Sequence, residues 1–161
     1  MTEVEFSRLL SALTETAKTL NKESDSLNEV IGRCEQMLAG MKIGLEVWVD
    51  TDPLESSAWT EERHTDEEVE RGTMDTELGF AEVHGKWRLA VRVARYETVD
   101  LRDNREISPR LYDVSQMTAL LDASRRERIA ALKHLPRLIE AMKREAEEAV
   151  KAIQNAKNLV K

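Results

Sequence analysis

The sequence predicts an α+β fold in which two long helices flank a three-stranded antiparallel β-meander. Both ends of the chain repeat apolar residues at intervals of three and four, whereas the middle alternates apolar and polar residues. The 161 residues are enough for a single core, so we expect one domain. Its expected parts are a helix over 3–40, a meander over 42–112 and a helix over 113–160.

The first helix is predicted from one apolar seam whose spacings alternate between four and three residues. Ser24 is the only polar residue among the seam positions, a pattern typical of a coiled-coil strand. Gly40 and Gly44 then bracket the expected end of the helix, where a residue free to adopt positive φ is useful. The seam positions are Phe6, Leu10, Leu13, Ala17, Leu20, Ser24, Leu27, Ile31, Cys34, Leu38 and Met41.

The meander is predicted from alternation of period two. A first strand covers 43–50, and strands 77–84 and 86–96 flank Gly85, which indicates a hairpin with a two-residue turn. The acidic connection over 60–76 is expected to be a mobile loop or a short solvated helix. In the hairpin, one face should carry Leu78, Phe80, Trp87, Leu89, Val91 and Val93, and the other Ala81, Val83, Arg88, Ala90, Arg92 and Ala94.

The last helix is predicted from a second seam of the same kind. Asp113 with Gln116 resembles a helix start, and Pro136 predicts a kink because proline lacks the backbone N–H. The seam positions are Leu132, Leu135, Ile139, Met142, Ala146, Ala149, Ile153, Ala156 and Val160.

The two seams match if the last helix returns along the first. Positions whose numbers sum to 166 then meet, for example Leu13 with Ile153 and Ala17 with Ala149, which predicts an antiparallel coiled coil. Alanine layers fill little volume, so we expect a second copy to cover the seams in a homodimer or a higher even oligomer. The residues expected to carry this assembly are Leu10, Leu13, Leu20, Leu27, Ile139 and Ile153.

Charge favours a protein partner over nucleic acid. The net charge is −7, which disfavours general attraction to nucleic acid or anionic membrane. A row of arginines nevertheless offers guanidinium groups to phosphate or carboxylate. Glu77 and Glu82, on the neighbouring strand, can neutralise this row, and salt-dependent retention on heparin would separate the two interpretations. The candidate anion-binding residues are Arg88, Arg92, Arg95, Arg125 and Arg126, with Arg102, Arg105, Arg110 and Arg128 nearby in the sequence.

The search for catalytic chemistry finds no strong motif. The sequence has no P-loop, no Gly-x-Ser-x-Gly and no His-Glu-x-x-His. His64 with Asp66, Glu67 and Glu68 is the one local group of potential metal ligands, and a solvated acidic segment explains it more simply. We therefore expect no catalytic residue, metal or cofactor. The expected function is a non-enzymatic interaction or scaffold module, with an enzyme that lacks a local motif as a third interpretation.

The single cysteine, Cys34, indicates a reducing compartment, because it excludes an internal disulfide. The first ten residues lack the basic flank and apolar run of a signal peptide, and no stretch is apolar enough for a membrane span. These observations predict a cytoplasmic protein.

Overall fold

A computed structural model describes residues 2–62, 69–98 and 109–159 of the chain. These residues form an α+β fold of two long helices and an antiparallel sheet, as the sequence predicts in outline. In chain order the elements are α1 (Glu3–Gly40), β1 (Val47–Val49), β2 (Glu55–Glu62), β3 (Val69–Val83), β4 (Lys86–Thr98), β5 (Pro109–Val114), β6 (Thr118–Ala119), a 3₁₀ turn (Leu120–Asp122) and α2 (Arg125–Leu159).

The first helix begins with a capping box. The hydroxyl of Thr2 accepts a hydrogen bond from the backbone N–H of Glu5, and the Glu5 carboxylate accepts one from the N–H of Thr2. These reciprocal bonds satisfy N–H groups that lack a partner within the helix. After Gly40 the chain leaves the helix through Lys42 and Gly44, both with positive φ.

The predicted hairpin around Gly85 is confirmed. Val83 pairs with Lys86 across a two-residue turn, in which His84 and Gly85 both have positive φ. A two-residue turn with positive φ at both positions matches the right-handed twist of the flanking strands. Phe80 pairs with Leu89, so the apolar residues share one face, and Arg88 and Arg92 lie on the other, as expected.

The described sheet has six strands, not the three predicted from alternation. β3 is central, with β4 on one side and both β1 and β2 on the other; β5 and β6 then pair with β4. β2 and the first half of β3 pair from Glu55 to Glu62, so part of the expected acidic loop is strand. These strands are rich in polar residues, and ladder hydrogen bonds hold them without an alternating apolar pattern. Residues 63–68 lie outside the described part.

The second helix begins at Arg125, later than the position predicted from Asp113. Asp113 lies in β5, and the helix start is instead capped by Ser124. The Ser124 hydroxyl accepts from the N–H of Glu127, while the Glu127 carboxylate accepts from the N–H of Ser124. α2 then continues as a single helix through Pro136 to Leu159.

Both helices pack on the same face of the sheet. The main core joins the buried side of α1, the buried side of α2 and the apolar face of the hairpin. Its largest fully buried side chains are those of Ile31, Leu78, Phe80, Leu89, Leu120, Leu138 and Met142. On the other face, Val83, Ala90 and Ala119 form a small cluster with Trp48 and Met117.

The two helices run in the same general direction where they meet. The start of α2 contacts the middle of α1, through Arg125 Nη2 and Asn21 Oδ1 at 3.0 Å, and the end of α1 shares a groove with Ile139 and Met142. The structure does not show the predicted antiparallel coiled coil. Before α2 begins, the chain returns to the level of Asn21 through β5, β6 and the 3₁₀ turn. The direction of α2 relative to α1 is therefore the reverse of the one expected.

Candidate functional site

The first half of α1 is a helix with no neighbour among the described residues. Every residue from 2 to 23 is exposed, although the apolar seam continues through this segment. Phe6, Leu10 and Leu13 are 50%, 48% and 63% exposed. We call the residues Phe6, Leu10, Leu13, Ala17 and Leu20 the N-terminal seam. A regular row of exposed large apolar side chains is characteristic of an interaction surface.

Between Phe6 and Leu20 the sides of the N-terminal seam carry no charge, whereas Glu3 continues the seam at its N-terminal end. At about 100° per residue, Arg8, Glu15 and Lys18 lie on the opposite side of the helix. Two threonines that flank the seam direct their hydroxyls back to the helix: Thr14 Oγ1 donates to the Leu10 carbonyl at 2.8 Å, and Thr16 Oγ1 donates to the Ala12 carbonyl at 3.0 Å. Their methyl groups thus widen the apolar strip.

A second apolar surface lies in the groove between the two helices. Its volume is about 560 Å³, and its lining is almost wholly apolar, with Val30, Met37 and Ile139 exposed. Cys34 lies in the same groove as a free thiol. Burial, followed by the charge of the adjacent Glu35, raises the pKa of this thiol, which keeps it protonated and weakly nucleophilic.

The structure divides the residues that the sequence predicts for assembly. Leu10, Leu13 and Leu20 lie on the N-terminal seam and are exposed. Ile139 is exposed in the groove, and Ile153 is exposed on the far half of α2. Leu27 is buried in the core between α1 and the sheet, so it is not available to a partner.

Two arginines of β4, Arg88 and Arg92, are paired with carboxylates. Arg92 Nε lies 2.8 Å from Oε2 of Glu77, a residue with no solvent exposure, and the Arg92 guanidinium stacks 4.2 Å from the Trp48 ring. Arg88 Nε lies 3.2 Å from Oε1 of Glu35 on α1. Glu35 Oε2 also accepts the backbone N–H of Leu89 at 3.1 Å, so one carboxylate joins the helix to the sheet.

The other candidate anion-binding residues do not form one cluster with this pair. The Arg95 guanidinium lies 3.7 Å from the ring centre of Trp59 and 5.1 Å from that of Tyr112. On α2, Arg125 contacts Asn21, and Arg126 Nη2 lies 2.9 Å from Glu55 Oε1. Arg102 and Arg105 lie outside the described residues.

Tyr96 completes the buried pair on the outer face of the sheet. Its hydroxyl donates to Glu77 Oε1, while Arg92 binds the other oxygen. Burial, and then the hydrogen bond and charge of Glu77, raise the pKa of Tyr96. A fully buried carboxylate with two charge-compensating or hydrogen-bonding partners is the arrangement expected of a structural ion pair.

Sequence reasoning did not identify Glu35, Trp59 and Tyr112 as partners of the arginines. Glu35 is 53 residues from Arg88, and Trp59 stands in a strand that lacks alternation. A local pattern carries no signal for contacts of this range. The position of Glu35 beside the buried seam of α1 was the one available indication that it approaches the sheet.

Among the described residues, no three His, Cys, Asp or Glu side chains are grouped as ligands for a metal ion. The potential ligands from His64 to Glu68 lie outside that part. No helix in the described ranges combines the length and apolarity required to cross a membrane. Comparison of the chain with family models, curated proteins and solved structures finds no match.

Proposed function

We propose that this protein is a non-enzymatic interaction module that assembles with a second copy of itself through its helices. The observation that carries the proposal is the N-terminal seam. Leu10, Leu13 and Leu20 lie in register on the part of α1, residues 2–23, in which every residue is exposed. Burial of apolar surface contributes about 25 cal/mol per Å², so a helical partner on this seam is strongly favoured over water.

The core of the sheet supports the same proposal, because it is complete without the seam. Ile31, Leu89 and Leu138 are fully buried within one chain. The first half of α1 therefore adds little to the fold, while its Leu-rich strip is costly to expose. A segment of this kind is explained by a contact that forms between chains.

The paired arginines support a protein partner rather than a polyanion. Glu77 and Glu35 occupy the guanidinium groups of Arg92 and Arg88, so a phosphate would have to displace a carboxylate. Together with a net charge of −7, this leaves little attraction for nucleic acid. The single cysteine, which can form no internal disulfide, supports a place in the reducing cytoplasm.

Leu13→Asp tests the proposal. Each dimer would then bury two unpaired carboxylates, so we expect the dissociation constant to rise at least ~100-fold. At on the order of 100 µM protein, light scattering should give twice the chain mass of 18.4 kDa for the unaltered protein and close to a single chain for the variant. Ser11→Asp adds the same charge off the seam and should leave the dimer intact. An unaltered protein that scatters as one chain would refute the proposal.

A further inference from the structure

We infer that the two copies meet through their N-terminal seams alone, antiparallel, so that residue i of α1 faces residue 23 − i of its partner. This inference rests on the proposed function and specifies the surface and register that it uses. In this register Phe6 faces the partner's Ala17, and Leu10 faces the partner's Leu13. Phe6 thus meets a small side chain, two leucines meet at the centre, and Leu20 faces the partner's Glu3 at the end of the strip.

The direction of the seam fits this arrangement. The N-terminal seam and the buried residues Leu27 and Ile31 share one face of α1, so the seam points toward the plane of the sheet but beyond its edge. A partner helix that lies there antiparallel carries its own sheet at the opposite end. The two bodies are thus separated, and a two-fold axis between positions 10 and 13 closes the assembly.

The flanking positions also fit. Between the layers, Ser7 approaches the partner's Thr14, and Leu9 approaches the partner's Thr16. None of these side chains is charged, and the threonine hydroxyls are already bonded within their own helices. These flanking contacts therefore form without burying a charge, and the one charged layer, Glu3 with the partner's Leu20, lies at the solvent-exposed end of the contact.

The partner's α2 is a poorer occupant of the seam. If positions summing to 166 met between chains, Leu20 would face the partner's Ala146, and Glu23 would lie beside the partner's Glu145. Small layers leave volume unfilled, and like charges at flanking positions disfavour the pairing. The self-matched register avoids the like-charge contact and places Leu10 against the partner's Leu13 at its centre.

The size of the contact sets its strength. Residues 3–20 span about 27 Å, so one pair of helices of this length makes a small interface. Specific interfaces bury at least about 1,000 Å² in total, and a contact near this limit is expected to have a micromolar dissociation constant.

Cross-linking between two variants tests the register, with Cys34→Ser in both chains. One chain carries Phe6→Cys and the other Ala17→Cys. In the mixture these cysteines share a layer and should form a disulfide under mild oxidation. In either variant alone, equivalent cysteines are about 16 Å apart along the helix, which is beyond disulfide reach. Positions 6 and 17 are both exposed, so the introduced cysteines do not put folding at risk.

The matched control is the mixture of Arg8→Cys with Glu15→Cys, whose numbers also sum to 23 but which lie on the outer side of α1. It should not cross-link. Light scattering on the same samples, at on the order of 100 µM, separates the two ideas. If the protein is a dimer but the cysteines at positions 6 and 17 form no disulfide, or if Phe6→Cys forms a disulfide with itself, the register is wrong and the proposed function still stands. A monomer overturns both.

Discussion

The two halves of α1 carry the same sequence pattern but differ in burial. In the second half, Leu27, Ile31 and Leu38 are buried against the sheet and α2. In the first half, Leu10 and Leu13 continue the same seam into solvent. The comparison shows that a heptad seam identifies the apolar face of a helix but not what covers it. A sheet, a second helix and a second copy of the chain are all suitable.

The largest expected effect is a difference in stability between the same substitution in the two halves. Leu38→Ala removes a core side chain and should lower the free energy of unfolding by about 2–5 kcal/mol. Leu13→Ala should change it by less than ~0.5 kcal/mol when the protein is dilute enough to be monomeric. Urea denaturation of both variants at submicromolar concentration measures the difference. Equal losses would mean that the first half contributes to the fold of the monomer.

A smaller effect, expected to be several-fold, concerns thiol reactivity. The raised pKa of Cys34 means that less thiolate is present near pH 8, so it should react more slowly than an unhindered thiol. Its rate should continue to rise with pH where that of the unhindered thiol has levelled off. A thiol reagent followed by absorbance from pH 7 to 10 measures both.

The same reagent sharpens the comparison between the halves. The groove that contains Cys34 lies outside the inferred contact, so its rate should not depend on protein concentration. Leu13→Cys, with Cys34→Ser, should instead become protected as the dimer forms. Protection of Cys34 with rising concentration would indicate that the partner covers the groove.

The smallest expected effect is a gain in stability from Gly32→Ala. Gly32 lies in the packed half of α1, and a Cβ built there meets nothing within 4 Å. Alanine should therefore stabilise the helix by about 0.5–1 kcal/mol through reduced backbone freedom in the unfolded chain. Thermal unfolding checks the sign. A loss of stability would show that the space beside Gly32 is occupied in the assembled protein.

The parts of the fold that could be predicted are those in which an element buries one face and pairs with a neighbour in the sequence. The hairpin from Glu77 to Arg92 follows from alternation, because each face has a consistent environment. β2 and the start of β3 could not be found in this way, since both of their faces are largely polar. The true start of α2 did have a local signal, the Ser124 to Glu127 capping box, but Asp113 with Gln116 offered a competing one.

The candidate site was predictable to a similar extent. The periodicity identified Leu10 and Leu13, and the strand register identified Glu77 as a partner for Arg92. The relative direction of the helices was not predictable, because it depends on where the chain between β4 and α2 returns. For the same reason Leu27 could not be separated from Leu13 by sequence alone.

The carboxylate of Glu35 has a further consequence for the exposed end of β4. Strands at the margin of a sheet present free N–H groups that recruit strands from other molecules and so nucleate aggregates. At Leu89 that donor is already satisfied by Glu35, and Arg88 beside it is held by the same carboxylate. Strands of other molecules therefore have no free N–H at Leu89 with which to pair, whereas the N-terminal seam remains exposed for the contact between copies.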